Sequence, residues 1–170
     1  MEKVFRAVDR LSDITGKIAS ILIVFLTFSI CYDVFLRYIL AWPCFWSYDM
    51  TIMFYGSFAI LGAAYCHYRH GHVRMDLLYG RLSTRGKAIA DIIGYLLLFF
   101  PLMTILVYKC GENAIWSLKI GERSAASAWR PYVGPFKLVI VYGLALFLLQ
   151  GIVDFVRRVI TAVKGVEYES

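Results

Sequence analysis

Three histidines, His67, His70 and His72, stand close together in this sequence, and clustered imidazoles raise metal or haem binding. Such sites need partners. A haem between helices takes histidines that face one another, and a metal takes a surrounding set of thiolates, carboxylates or imidazoles. No other apolar run contains a histidine, so the three are read as interfacial residues. The four cysteines, Cys31, Cys44, Cys66 and Cys110, show no C-x-x-C spacing and lie in or beside apolar runs, where cysteine behaves as a small hydrophobe. Cys44 and Cys110 both map near one face of the membrane, yet the expectation is that they stay unpaired. No activated nucleophile, glycine-rich phosphate loop or pair of catalytic carboxylates is present, so the sequence predicts neither an enzyme nor a cofactor site.

The remaining chemistry lies in ionisable groups set against apolar surroundings. Each costs about 2.5 to 3.5 kcal/mol at a bilayer centre, so each needs a partner or a function. Asp33 and Arg37 are spaced to pair on one helical face, and Asp49 opens the next apolar run at the same level. Asp91 follows Lys87 by one turn, and Asp154 precedes Arg157 and Arg158. All sit near the ends of their runs and none at the middle, where carriers hold solute and coupling ions on interrupted helices. Gln150 and Pro101 lie deeper. Each has a structural reading, as an interhelical hydrogen-bonding group and a tolerated kink, beside a functional one.

These residues must be positioned by elements suited to lipid. Of 170 residues 60% are hydrophobic and 18% charged, and the mean hydropathy is +0.65. Four apolar runs, 18–39, 48–68, 88–109 and 137–156, each approach the ~20 residues that cross a bilayer as a helix. The expectation is an all-α membrane protein over 1–170, with four transmembrane helices running up-down-up-down. Lysine and arginine concentrate before the first run, between the second and third, and after the fourth, which places both termini in the cytoplasm. The same distribution accounts for the net charge of +6 without nucleic acid. The first run is too long for the apolar region of a signal peptide, starts only near Ile18 and lacks a cleavage site after it, and is read as retained.

Phe5, Val8, Leu11 and Ile14 recur at helical spacing before the first run. They fit either an amino-terminal amphipathic interfacial helix or an extension of the first span. The stretch 111–136 is long for a bundle connection, so the third span is expected to continue outward past Trp116 before a return rich in glycine, serine and proline. On the second span Gly56, Ala59, Ala63 and Cys66, with Gly62 alongside, form a stripe of small side chains for close helix packing.

Read in order, several segments resemble one family. They are Phe35-Leu36-Arg37-Tyr38, Trp46-Ser47-Tyr48-Asp49, Leu61-Gly62-Ala63-Ala64, Gly71-His72-Val73-Arg74-Met75-Asp76-Leu77-Leu78-Tyr79, Ile120-Gly121-Glu122-Arg123-Ser124 and Leu149-Gln150-Gly151. Together with the four-span layout they are similar to the small membrane subunit of tripartite ATP-independent periplasmic (TRAP) transporters, the DctQ type. The resemblance implies a noncatalytic permease subunit of an ion-coupled importer in a bacterial inner membrane. Its partners would be a large TRAP membrane subunit, a periplasmic solute-binding protein and membrane lipids. By the same resemblance, Arg37, Trp46 and Asp49 are candidate interface residues with the small-residue stripe, Arg37 and Asp49 tying spans one and two together or to the large subunit. His72, Arg74 and Asp76 would form a cytoplasmic interfacial motif, Arg74 at lipid phosphates and Asp76 capping a short helix. Gly121, Glu122 and Ser124 would form an outer contact surface. Asp49 departs from the glutamate frequent in the family, so its reach is shorter. The alternative is a self-contained small four-span exporter or channel.

Overall fold

A computed structural model describes residues 2–42, 44–69 and 84–164. Helix α1 runs Glu2–Ile39, α2 Ser47–Tyr68, α3 Thr84–Gly94, α4 Phe100–Ile120 and α5 Gly134–Lys164. A π turn over Tyr95–Phe99 joins α3 to α4, so these form one continuous rod. Among the described residues four helices are long and apolar enough to cross a membrane, within Phe5–Ile39, Ser47–Tyr68, Ile89–Ile120 and Gly134–Ile160.

The π turn has a local cause. Pro101 has no amide hydrogen and its ring crowds the carbonyl one turn earlier. Widening the turn relieves that crowding, and the Phe100 amide bonds the Tyr95 carbonyl five residues back. Downstream the rod runs past Trp116, as the length of the connection suggested, and stops at Gly121. That residue adopts φ 61° and lets Glu122 bond the Ser117 carbonyl at 3.0 Å. Glycine bears this left-handed conformation without a Cβ clash.

Contacts between side chains fix how the helices run. Gly16 meets Tyr65, Phe25 stacks on Phe54 and Tyr32 on Trp46, so α1 and α2 are antiparallel. Gly134 meets Leu118 and Gly151 meets Phe99, so α5 runs against the third rod. Helix α5 touches α1, α2, α3 and α4. Its apolar window is 39% buried, against 6% for the third rod. It is the post around which the others stand.

The amphipathic segment before the first span is part of α1, and over 11–15 its exposure is reversed relative to a helix at a water surface, while Arg6 and Arg10 stay exposed. Leu11 and Ile14 are 40% and 46% exposed, while Ser12 and Thr15 are 0% and 3% exposed. In hydrocarbon the apolar residues are solvated by lipid, and the polar ones find partners inside the protein. Thr15 bonds the Leu11 carbonyl at 2.5 Å, and Ser12 reaches α5. The segment therefore extends the first span; it does not lie beside it as a separate element.

Candidate functional site: polar ties at the two ends of the bundle

Two polar clusters hold the helices, one at each end. The first lies where α1 turns into α2. Asp49, in the first turn of α2, is only 3% exposed. Its carboxylate accepts hydrogen bonds from the hydroxyls of Ser124, at 2.6 Å, and Ser127. Both serines belong to the return between α4 and α5. Their oxygens also accept amide hydrogens from Ala126 and Trp129, each at 3.2 Å, which folds the return into turns aimed at Asp49. The position of Asp49 at a helix amino terminus favours its negative charge.

The return is braced on its other side. Glu122 pairs with Lys137 at 2.5 Å, and Lys137 also donates to Asn113 Oδ1 at 2.7 Å. The Lys137 ammonium holds the Glu122 carboxyl below the usual carboxylate range. Arg123 and Tyr132 form an isolated antiparallel bridge, with the guanidinium 4.5 Å from the tyrosine ring centre. The result is an ordered cap over the start of α2.

The second cluster lies at the opposite end, where α1 begins and α2 finishes. Gln150 is fully buried; it accepts from Ser12 Oγ at 3.1 Å and donates to Asp9 at 3.0 Å. Arg157 pairs with Asp9 at 2.7 Å, and Arg158 with Asp91 at 3.1 Å. Asp154, 3% exposed, lies 3.6 Å from His67 and accepts from Tyr95 at 3.4 Å. All four spans contribute. Each partner meets a group on another helix, so the cost of burying polar atoms is offset by ties between helices.

The expected Asp33–Arg37 pair forms, and other expected pairings are replaced. Arg37 bonds Asp33 at 2.9 Å, one turn away, and does not tie to Asp49, which the serines occupy. Arg157 and Arg158 reach across to Asp9 and Asp91 more closely than Arg157 approaches Asp154, at 3.9 Å. His67, in the last turn of α2, faces inward: it is 8% exposed, stacked on Phe99 at 5.9 Å and edge-on to Phe147 at 5.1 Å. No group of His, Cys, Asp and Glu among the described residues is arranged to hold a metal. Gln150 acts as the interhelical hydrogen-bonding group its setting allowed.

The candidate residues divide by surroundings. Gly56 packs within the chain, since a Cβ there would lie 2.8 Å from Phe136 of α5. Ala59 is exposed, Gly62 and Ala63 are half-buried, and among the described residues a Cβ on Gly62 would meet only Phe58 of its own helix, at 3.8 Å. Trp46 is 37% exposed and stacks on Tyr32. Gly121 ends α4, Glu122 braces the return and Ser124 holds Asp49. His72, Arg74 and Asp76 lie outside the described residues, as do His70 and the capped helix expected after Asp76. All four cysteines are free, and burial pushes the Cys44 thiol above its ordinary range, with the Asp33 charge adding to the shift.

Sequence reasoning did not single out Ser127, Asp9, Ser12 or Tyr95. The spacing of Ser124 and Ser127 opposite a buried carboxylate was a usable signal. So was the polar stripe of Ser12 and Thr15 within an otherwise lipid-compatible helix.

The fold and these ties define a multi-pass helical membrane protein in which buried polar side chains near both ends join its own spans. The family model described as "Tripartite ATP-independent periplasmic transporters, DctQ component" matches residues 26–161, and the chain belongs to that family, the small TRAP transporter subunit. No match was found among curated proteins or solved structures.

Proposed function

We propose that this chain is the noncatalytic small permease subunit of an ion-coupled TRAP importer, which binds the large membrane subunit and extends its fixed scaffold. The observation that carries the reading is that the buried side chains of Asp49, Gln150 and Asp154 are tied to other helices or to the α4–α5 return near the two ends. A scaffold needs a bundle that does not open. A carrier needs polar groups free to meet cargo near the midplane.

In this reading the end capped by the α4–α5 return faces the periplasm, and both termini lie in the cytoplasm. The large subunit meets the exposed side of α2, formed by Tyr48, Ile52, Tyr55 and Ala59, with Gly62 and Ala63 admitting a close helix. Trp46 and Arg37 extend that side to the membrane surface. The return, bearing Arg123, Trp129 and Arg130, is the surface offered to the soluble solute-binding protein. Arg130 holds φ 48°, a conformation uncommon outside glycine, which fits a segment shaped for contact. The loop with His72, Arg74 and Asp76 meets lipid headgroups on the cytoplasmic side.

Copurification tests the assignment. A tagged form of this chain, coexpressed with the large membrane subunit from its own genome, is expected to retain that subunit through detergent exchange and size-exclusion chromatography. Elution of the two proteins separately, each folded, contradicts the reading.

A further inference from the structure

At the capped end of the bundle every carboxylate among the described residues is already engaged. Asp33 pairs with Arg37 at 2.9 Å, Glu112 with Lys109 at 3.0 Å and Glu122 with Lys137 at 2.5 Å. Asp49 is 3% exposed beneath Ser124 and Ser127. Lys119, Arg123 and Arg130 are exposed and make no ion pair among the described residues. The charge this end offers to a partner is therefore positive. Lys119 stands in the last turn of α4, where a cation already balances the helix dipole, so the two arginines of the return carry the surplus.

We propose that, on the reading that the return faces the periplasm, Arg123 and Arg130 form a docking surface for an acidic face of the soluble solute-binding protein. Trp129, next to Arg130 in the chain, supplies an aromatic anchor within it.

The build of the return suits a protein partner. Residues 121–133 lie outside the spans, which end at Ile120 and resume at Gly134. The segment is folded before any partner arrives: Ser124 and Ser127 tie it to Asp49, and Arg123 and Tyr132 close an antiparallel bridge. Little ordering cost is then left for binding. The Arg123 guanidinium is held 4.5 Å from the Tyr132 ring centre and donates to its hydroxyl at 3.2 Å, which fixes its position and leaves its charge uncancelled. Trp129 is 43% exposed, and tryptophan and arginine are among the residues that dominate the energy of protein interfaces.

Topology gives an independent reason. In the proposed orientation the return must cross the bilayer, and lysine and arginine are disfavoured in short loops that do so. The other outer turn, 40–47, bears none. Arginines kept on this return oppose that rule, and an acidic partner accounts for them. Its acidic face would be drawn toward the cap from a distance, which raises the rate of encounter.

The test uses this chain with the large subunit in nanodiscs of zwitterionic phospholipid, and the purified solute-binding protein from the same genome as the probe. Binding kinetics are followed as salt rises from about 0.05 to about 0.5 M, which shortens the screening length about threefold. Association is expected to slow with salt. Arg123→Gln/Arg130→Gln should slow it roughly tenfold at low salt and flatten the salt dependence, whereas Arg123→Lys/Arg130→Lys should keep most of both. Amide exchange over 121–133 reports whether the return is intact. If the double variant loosens it, Arg130→Gln alone takes its place, with a smaller slowing in the same direction. Should no complex with the large subunit form, the scaffold reading fails, and the same measurement on this chain alone decides the docking surface. No binding of the probe, or binding indifferent to salt and to these substitutions, overturns the proposal. A third contrary result would be exchange over 121–133 that anionic phospholipid slows in the wild type and not in the double variant, with probe binding unchanged; the arginines would then serve the membrane surface.

Discussion

Ser124 donates a 2.6 Å hydrogen bond to Asp49 across 75 positions of sequence, and with it the return between α4 and α5 is fastened to the first turn of α2. The two serines are the buried carboxylate's hydroxyl donors, and their loss leaves a charge behind. Replacing both in Ser124→Ala/Ser127→Ala is expected to destabilise the bundle by about 3 kcal/mol, more than the neutral, similarly shaped Asp49→Asn at about 1 to 2 kcal/mol. Denaturation in a defined detergent measures both. Equal effects would mean the serines do not compensate the charge.

Close approach of α1 to α2 depends on Gly16. A Cβ at that position would overlap the Tyr65 ring and lie 2.9 Å from the Tyr65 Cβ, near the backbone where the side chain has little freedom. Gly16→Ala is expected to cost about 1 to 3 kcal/mol, as overpacking does. Pairing it with Tyr65→Ala should recover part of that loss, which a double-mutant cycle reads directly.

Ala59 and Gly56 share the small-residue stripe and should respond differently. A large residue at Gly56 strikes Phe136 inside the chain, whereas Ala59 is exposed. Gly56→Leu is expected to lower the melting temperature of the isolated chain. Ala59→Trp should leave that temperature unchanged and weaken copurification with the large subunit. Retention equal to wild type removes this side of α2 from the proposed interface.

Glu122 gives the return a pH dependence of known sign. Its pairing with Lys137 holds its carboxyl below the usual range. The contribution to stability is therefore fully present above the unfolded value of about 4.3 and is lost as pH falls through the lower, folded value. Amide exchange over 121–133 should reveal loosening only in that acidic window. In Lys137→Met the loosening should begin at higher pH.

The spans were legible because a helix in hydrocarbon writes itself as an apolar run of fixed length, and Pro101 announced irregularity in the third. What was not legible is which polar groups meet. Asp49 and Arg37 stand at neighbouring helix ends, so a pair between them was reasonable, but the partner came from a return 75 positions away in sequence. For His67, position along the helix indicated depth near the end of the span and said little about the facing direction. The turn of α2 that buries His67 against Phe99 and Phe147 is set by packing on α5. The amino-terminal stripe was visible, but its direction depended on whether water or lipid surrounds the helix.

The central claim is that this chain holds neighbours in place and carries nothing by itself. Charge movement recorded from proteoliposomes on a solid-supported membrane, containing this chain alone and challenged in turn with sodium and proton gradients, tests it most directly. The expected trace matches protein-free liposomes. A transient that scales with the amount of this chain and disappears on its denaturation would contradict the account.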